Sequence, residues 1–195
     1  MSLKLITAPA VEPVSLAEAK LQCRVDIGDD DALITGLIKA ARESAETITR
    51  RALITQTWEL VLDEFPEGDE IIVPLPPLVS ITSIKYKDGD GVESTFAAAN
   101  YIVNTDAEPG KVVLADGASW PSTSLYPTAA IRVRFVAGYG AAGSSAPASI
   151  LAAIKLMVGH WYENRENSLP GGAEVQLLPM GVDALLWPYR MLSFP

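Results

Sequence analysis

The segment from residue 29 to residue 53 constrains the fold most, because its pattern of apolar residues fits only an α-helix. Apolar side chains recur at steps of three and four, at Leu33, Leu37, Ala41, Ala45, Ile48 and Ala52, and Ile34 and Ile38 widen this stripe. Aspartates occupy positions 29–31, and Arg50 and Arg51 follow the apolar positions. Negative charge suits the start of a helix and positive charge its end. A helix with one apolar face must pack, and we expect it to pack against protein.

A shorter helix is predicted to begin before it, in residues 13–25. Ser15 and Glu18 have the spacing of a capping box, in which each side chain satisfies a free backbone amide at the other residue. Residues 26–31, which include Gly28, then interrupt the chain before the long helix. Two helices with so short a joint form a helical corner.

The repeat changes from helical to extended after Leu53. Trp58, Leu60 and Leu62 alternate with polar or smaller residues, which is typical of a strand. Turn-forming residues separate five further segments that are also predicted to be strands. These segments are residues 70–73, 79–87, 101–103, 111–114 and 131–136. Connections this short favour antiparallel neighbours, because parallel strands need long crossovers.

Helical character returns at Pro147 and continues to about residue 165. Lys155 is the only charged residue between positions 148 and 159, so apolar side chains surround nearly the whole helix. We therefore expect more than one neighbour for it: the long helix, and a second copy of the chain. Residues 168–181 are rich in proline and glycine and predict an exposed, mobile connector. A last short apolar helix is predicted over residues 182–190.

These segments predict an α+β fold. Residues 1–55 and 141–195 are expected to form a helical unit made from both ends of the chain. Residues 56–140 are expected to form an antiparallel β region inserted between them, within one compact protein. A length of 195 residues suits one core with a sizeable insert.

Composition limits the classes of function. No apolar run reaches the length of a membrane span, and no basic region followed by an apolar run opens the chain, so we expect a soluble protein made in a cytoplasm. A single cysteine, Cys23, excludes an internal disulfide. The net charge of −9 argues against a protein that grips nucleic acid, but not against one that DNA slides past.

One motif has the spacing of a dinucleotide-binding turn. Residues 138–143 read G-x-G-x-x-G between a strand and a helix. The preceding strand carries Arg132 and Arg134, whereas a central parallel strand is apolar on both faces. The helix also begins too far beyond the last glycine for its amides to hold a pyrophosphate. We interpret the motif as a joint between sheet and helix.

No other cluster supports catalysis or a cofactor. His160 is the only histidine. Catalysis would need a nucleophile and an orienting acid around it, and the G-x-S-x-G motif is absent. A metal site would need further histidine or cysteine ligands, and only Cys23 remains. The aspartates at 29–31 lack the spacing of a calcium loop, and helix capping accounts for them. Lys85 with Lys87, and Arg132 with Arg134, share strand faces that we interpret as solvated. We expect no catalytic residue, no metal, no cofactor and no enzymatic activity.

The order of the segments resembles the head-to-tail connector, or adaptor, family of tailed bacteriophages and prophages. The resemblance begins with P-V-S-L-A-E-A-K and L-x-x-R-V-D in residues 13–26, and continues with D-D-x-L-I-x-x-L-I-x-A-A-R-E in residues 30–43. It continues through nearly the whole chain, at Gln56 to Trp58, Phe65-Pro66, residues 75–78 and 86–91, Trp120-Pro121, residues 137–140 and 160–166, and residues 179–190. Each of these short motifs alone is a weak signal, but their order along the chain is specific for the family.

The resemblance implies a structural virion protein that is made in the host cytoplasm. Such a protein forms a ring beneath the portal, extends the DNA channel and provides the docking surface for the next tail-side protein. Its partners are other copies of itself, the portal protein and that tail-side protein. DNA passes through without specific binding, and no membrane is involved.

Two sets of apolar residues are the candidates for these contacts. We expect partner docking at the C-terminal residues Leu185, Leu186, Trp187, Tyr189 and Arg190. We expect subunit contact at the exposed half of the late helix between Ile150 and Trp161, through Ile150, Ile154, Met157, Val158 and Trp161. Two other functions remain open at this point: a monomeric protein-binding module with a β recognition domain, and a small nucleotide-binding enzyme.

Overall fold

The computed structural model describes residues 1–165 and 180–191. Within them the strands are β1 (Ser2–Thr7), β2 (Gln56–Leu62), β3 (Glu70–Val73), β4 (Leu78–Lys87), β5 (Glu93–Phe96), β6 (Tyr101–Asn104), β7 (Gly110–Leu114) and β8 (Ile131–Ala137). The helices are α1 (Leu16–Cys23), α2 (Asp31–Thr49), α3 (Ala148–Glu163) and α4 (Met180–Leu186). The predicted α+β class is confirmed. Most of the predicted mobile connector lies outside the described residues.

The described chain divides into two units. A β unit consists of residues 1–10 and 55–139, and a helical unit consists of residues 11–54 and the described residues from 140 onward. The first ten residues differ from the prediction, which grouped them with the helices. They include β1, which pairs antiparallel with β2. Sequence periodicity missed this strand because it lies at a sheet edge, where all six residues are exposed and no buried face imposes alternation.

The β unit contains two antiparallel sheets. The larger has the strand order β1-β2-β8-β4-β5, and the smaller has the order β3-β7-β6. Alternate residues of β8 are fully buried, at Ile131, Val133, Phe135 and Ala137, whereas the intervening residues are half-buried. That alternation gives the larger sheet one core face and one outer face.

Aromatic rings and a close backbone approach join the two sheets. Phe96 on β5 stacks on Tyr101 on β6 with 6.0 Å between ring centroids. Gly110 on β7 lies so close to Leu78 on β4 that a Cβ at the glycine would approach the leucine side chain to 2.5 Å. Only a residue without a side chain fits at this point, so Gly110 sets how closely β7 approaches β4.

In the helical unit, α3 forms the centre and packs against α1, α2 and α4. The buried face of α2 contains Ile34, Ile38, Ala41 and Ala45. All four belong to the predicted apolar stripe, whereas Leu33, at its other side, is 38% exposed. The capping box of α1 is present: the Glu18 amide donates to Ser15 Oγ at 3.3 Å, and the Ser15 amide donates to Glu18 Oε2 at 3.0 Å.

Two aspartates at the start of α2 make tertiary contacts that the capping prediction did not include. Asp31 lies in the first turn of α2, where negative charge was expected. Asp30 is the N-cap residue by position, but its side chain makes no capping hydrogen bond. Its carboxylate instead accepts hydrogen bonds from Tyr162 and Arg165 at the end of α3. Asp31 pairs with Lys20 on α1 at 2.6 Å. These carboxylates therefore tie α2 to its neighbours, a tertiary role that the capping interpretation missed.

Candidate assembly surfaces

The predicted subunit contact on α3 is largely enclosed within the chain itself. Ile150, Ile154, Met157 and Val158 are all fully buried. The neighbours that an apolar helix requires are α1, α2 and α4 of the same chain, so these four side chains cannot reach another subunit. This part of the prediction is wrong, because a sequence pattern shows that a helix must be covered but not by which elements. Trp161 remains half-exposed.

The exposed side of α3 borders a shallow groove beside α1. Leu151, Ala152 and Leu156 line it from α3, and Gln22 lines it from α1, with a volume of about 340 Å³. Lys155 also lines the groove, and its Nζ lies 3.0 Å from Glu18 Oε1. On α1, Leu21 is 81% exposed. The prediction that the exposed half of this helix offers an apolar surface named other residues than those that line the groove, because the surplus of apolar residues on α3 does not show which of them face solvent.

The capping carboxylate beside this groove has a strongly perturbed acidity. Hydrogen bonds from the backbone amide and the hydroxyl of Ser15 lower the pKa of Glu18 to about 2, with a further contribution from Lys155. Glu18 is therefore ionised at neutral pH. Its charge holds both the start of α1 and Lys155 on α3.

The predicted docking residues of the C-terminal segment separate into an anchor and an exposed pair. Leu186 is fully buried and belongs to the core, and Leu185 and Tyr189 are half-buried. Trp187 is 62% exposed, and the Arg190 guanidinium lies 5.2 Å above its ring. The structure therefore brings Trp187 and Arg190 together at the surface as a cation–π pair.

Two hydrogen bonds, one from a side chain and one from the backbone, hold this segment at the end of α2. Arg51 Nε donates to the carbonyl oxygen of Tyr189 at 2.7 Å, and the amide of Met191 donates to the carbonyl of Thr49 at 3.1 Å. Arg51 is itself buried. The backbone around Trp187 is thus held in place against the end of α2.

The end of α3 carries a polar network but no reactive cluster. Tyr162 donates its hydroxyl to Asp30, and this hydrogen bond raises the pKa of Tyr162 and lowers the pKa of Asp30. His160 lies half-buried in the last turn of α3, and its carbonyl accepts from the Asn164 amide at 2.9 Å. Across residues 1–165 and 180–191, no group of three or more potential metal ligands occurs.

The glycines of residues 138–143 serve backbone packing. Gly138 has a φ of +131°, and its amide donates to the carbonyl of Pro77 at 2.9 Å. A Cβ at Gly143 would lie 2.8 Å from the carbonyl oxygen of Glu12. The α3 helix begins at Ala148, beyond this turn. The glycines allow close backbone approach, which supports the interpretation of a joint.

The outer face of the larger sheet collects basic side chains. Arg132 and Arg134 on β8 both approach Glu59 on β2, at 3.7 and 2.8 Å. Lys85 on β4 lies opposite Arg132 and pairs with Glu93 on β5 at 2.8 Å. Both arginine side chains keep about two-fifths of their surface exposed, at 39% and 43%, whereas Glu59 keeps 6%. The face is therefore solvated, as expected, and it is organised around a buried carboxylate.

No helix within the described part of the chain is both long and apolar enough to cross a membrane.

Comparison with known proteins gives a consistent answer. Residues 13–91 match the sequence model of the phage gp6-like head-tail connector proteins, and this range covers α1, α2 and the strands β2, β3 and β4. A search of curated proteins finds no match. Among solved structures, the chain resembles a protein in the neck of an empty gene transfer agent particle computed with C6 symmetry, at 26% identity and a TM-score of 0.80. That match covers 100% of this chain and 98% of the other.

Two further structures agree with it. A chain from the virion of a native gene transfer agent particle matches at 28% identity and a TM-score of 0.80. A chain from the neck of a native particle computed with C12 symmetry matches at 28% identity and a TM-score of 0.77. Both matches cover 100% of this chain and 98% of the other chain. The predicted resemblance to head-tail connectors is confirmed.

Proposed function

We infer that this chain, whose residues 13–91 match the phage gp6-like head-tail connector family, is a structural head-tail connector in the neck of a phage or phage-like particle. The observation that carries the inference is the agreement of the entire fold, β unit and helical unit alike, with proteins of particle necks. A connector works by its surfaces, and no catalytic step is part of this function.

The chain acts as one subunit of a ring. The C6 and C12 symmetries belong to the related necks, and they support a ring of this chain as well. A ring uses a heterologous interface, in which one surface of each subunit binds a different surface of the next. The half-exposed Trp161 is the remaining candidate for subunit contact from the predicted set on α3.

The portal protein and the next tail-side protein are the proposed partners on the two sides of the ring. Trp187 and Arg190 are the residues that we assign to partner docking, because they are exposed and held in place at the end of the helical unit. Tryptophan and arginine are also the residue types that contribute most at protein interfaces. Leu185 and Tyr189 support the pair from half-buried positions.

DNA passes through the ring without specific binding. The chain carries a net charge of −9, and acidic walls repel phosphates and so leave few points of attachment. The protein accumulates in the host cytoplasm during assembly and ends in the virion.

Deletion of the gene in a particle-producing strain tests this function. We expect DNA-filled heads without tails, and restoration of complete particles when the unmodified chain is supplied from a plasmid. A W187A chain, which keeps the fold, should restore fewer complete particles than a V92A chain, in which another exposed apolar residue is truncated on the β unit. Complete infectious or DNA-transferring particles in the absence of the chain contradict the proposal.

A further inference from the structure

Charges in the β unit are separated by sign. Five of its six lysines and arginines lie on the outer face of the larger sheet. We call this surface the basic face; it consists of Lys4, Lys85, Lys87, Arg132 and Arg134. Strand register places them together: Lys4 lies opposite Glu59, Glu59 opposite Arg134, Arg132 opposite Lys85, and Lys87 opposite Glu93.

The basic face contains only two carboxylates, Glu59 and Glu93. The other ten acidic residues of the unit lie in turns, at strand ends or on the smaller sheet. The face therefore has an excess of three positive charges in a unit that is acidic as a whole. Arg132 and Arg134 both pair with the buried Glu59, and these ion pairs hold the two guanidinium groups in place.

The densest acidic segment of the unit is the connection from β2 to β3. Two of its carboxylates, those of Glu64 and Glu67, border a pocket of about 330 Å³. Glu70 at the start of β3 also borders this pocket and pairs with Lys111 at 2.9 Å. The wall of this pocket is apolar and includes Leu62, Phe65 and Ile72. We call it the acid-rimmed pocket. An apolar wall with a carboxylate rim suits the long aliphatic stem and charged end of a lysine or arginine side chain.

We propose that the basic face of one copy of this chain docks on the acid-rimmed pocket of the next copy, so that the β units contribute a charge-complementary contact to the ring. The inference rests on the proposed function, because a closed ring of identical subunits needs two different surfaces that fit each other. The two surfaces described here differ in position and in sign, as a head-to-tail contact requires.

A second copy fits the basic face better than DNA does. Two carboxylates stand among its five cations, and Arg134 and Lys85 already form ion pairs within the chain. A protein that binds the phosphate backbone relies on cations that displace counterions, and the ten further carboxylates of this unit oppose that. An acidic protein surface needs only a modest excess of positive charge on its partner, which the basic face supplies.

A charge-reversal experiment tests the contact. Variant one is K4E/K87E, which reverses two lysines at the sides of the basic face and leaves Arg132, Arg134, Glu59 and the Lys85 pair in place. Variant two is E64K/E67K, which reverses two exposed carboxylates of the pocket. Association is measured on concentrated full-length protein by light scattering and negative-stain microscopy, and folding is checked by circular dichroism and thermal melting.

Each variant alone should associate at least about tenfold more weakly than the unmodified chain, because like charges then face each other in every contact. An equimolar mixture should recover association, because each contact between the two variants joins opposite charges. Matched controls change charge equally at other exposed sites: R24E/K39E on the helical unit and D106K/D116K in turns of the β unit. Both controls should associate like the unmodified chain.

The proposal is overturned if both folded variants associate as well as the unmodified chain, or if their mixture associates no better than either variant alone. It is also overturned, in favour of DNA, if the unmodified chain shifts duplex DNA in a gel, K4E/K87E does not, and their self-association is equal. An unmodified chain that stays monomeric at every concentration overturns this contact, whereas the deletion experiment decides the connector function independently.

Discussion

Arg42 on α2 donates from its Nε to Glu12 Oε2 at 2.7 Å, which ties the segment before α1 to the middle of α2. The same guanidinium bonds Glu46 at 2.7 Å, and Arg42 is only 5% exposed. Glu46 in turn accepts the backbone amide of Leu53 at 3.0 Å. One buried arginine therefore connects the segment before α1 to α2 and, through Glu46, to the chain that follows α2.

We expect R42A to destabilise the helical unit by about 2–3 kcal/mol, because removal of one partner leaves a carboxylate partly buried without its cation. Chemical denaturation followed by the helical circular dichroism signal measures the change. E43Q is the control: Glu43 also contacts Arg42, at 3.3 Å, but it is well exposed, so its substitution should change stability by less than about 0.5 kcal/mol. Equal effects of the two substitutions contradict the account of Arg42.

The capping box of α1 should make the stability of the protein depend on pH in the acidic range. The folded-state pKa of Glu18 is about 2, below the ordinary value of 4.5, because Ser15 and Lys155 stabilise the carboxylate. This contribution is fully present above about pH 4.5 and is lost as the pH falls from there toward about 2. Because Glu18 is exposed to solvent, the loss should be a fraction of the ideal linkage value.

Thermal melting across that pH range, on the unmodified chain and on E18Q, isolates the effect. The difference in stability between the two proteins should shrink as the pH falls, and S15A should cost about 1 kcal/mol at neutral pH through loss of the cap. A carboxyl of Glu18 that titrates at its ordinary pKa in a nuclear magnetic resonance experiment contradicts the account.

Two glycine-to-alanine substitutions should change the free energy of unfolding in opposite directions. G110A places a Cβ 2.5 Å from the side chain of Leu78, so strands β7 and β4 must move apart, at a cost of about 1–3 kcal/mol. G36A adds a methyl group on an exposed position of α2 with nothing within 4 Å, so it should stabilise by about 0.5–1 kcal/mol. Denaturation midpoints measure both, and a neutral G110A contradicts the close approach of the two strands.

Substitutions at two neighbouring residues of the C-terminal segment should distinguish an effect on folding from an effect on partner docking. L186A removes a fully buried side chain and should cost about 2–5 kcal/mol. W187A removes a side chain that is 62% exposed and should change stability by less than about 0.5 kcal/mol. If Trp187 docks on a partner, W187A should nevertheless reduce the yield of complete particles. A folded W187A chain with full yield contradicts the assignment of docking to this residue.

Local sequence patterns predicted those helices and strands whose own residues alternate between buried and exposed positions or carry a cap. The helical period of residues 29–53 predicted α2, the capping box predicted the start of α1, and the alternation around Phe135 predicted β8 to within one residue. Each of these signals arises from a face that the fold buries. Where no face is buried, as in β1, the sequence carries no alternation, and the strand was missed.

The surfaces were harder to predict because exposure is a property of the folded chain. Met157 and Leu186 have the same apolar character as Leu21 and Trp187, but the first two are buried and the last two are exposed. Which of them faces solvent depends on how α1, α2, α3 and α4 pack together. The basic face, by contrast, was visible in sequence as alternate cations on strands; its separation from the acidic turns became evident only with the strand register.

Electron cryomicroscopy of the neck of particles from a producing strain tests the central claim most directly. The connector account predicts a ring of this chain between the portal and the tail, with the β unit and the helical unit of each subunit fitting the density. The account is contradicted if the neck density is complete but accommodates no copy of this fold, and if mass spectrometry recovers none of this polypeptide from the particles.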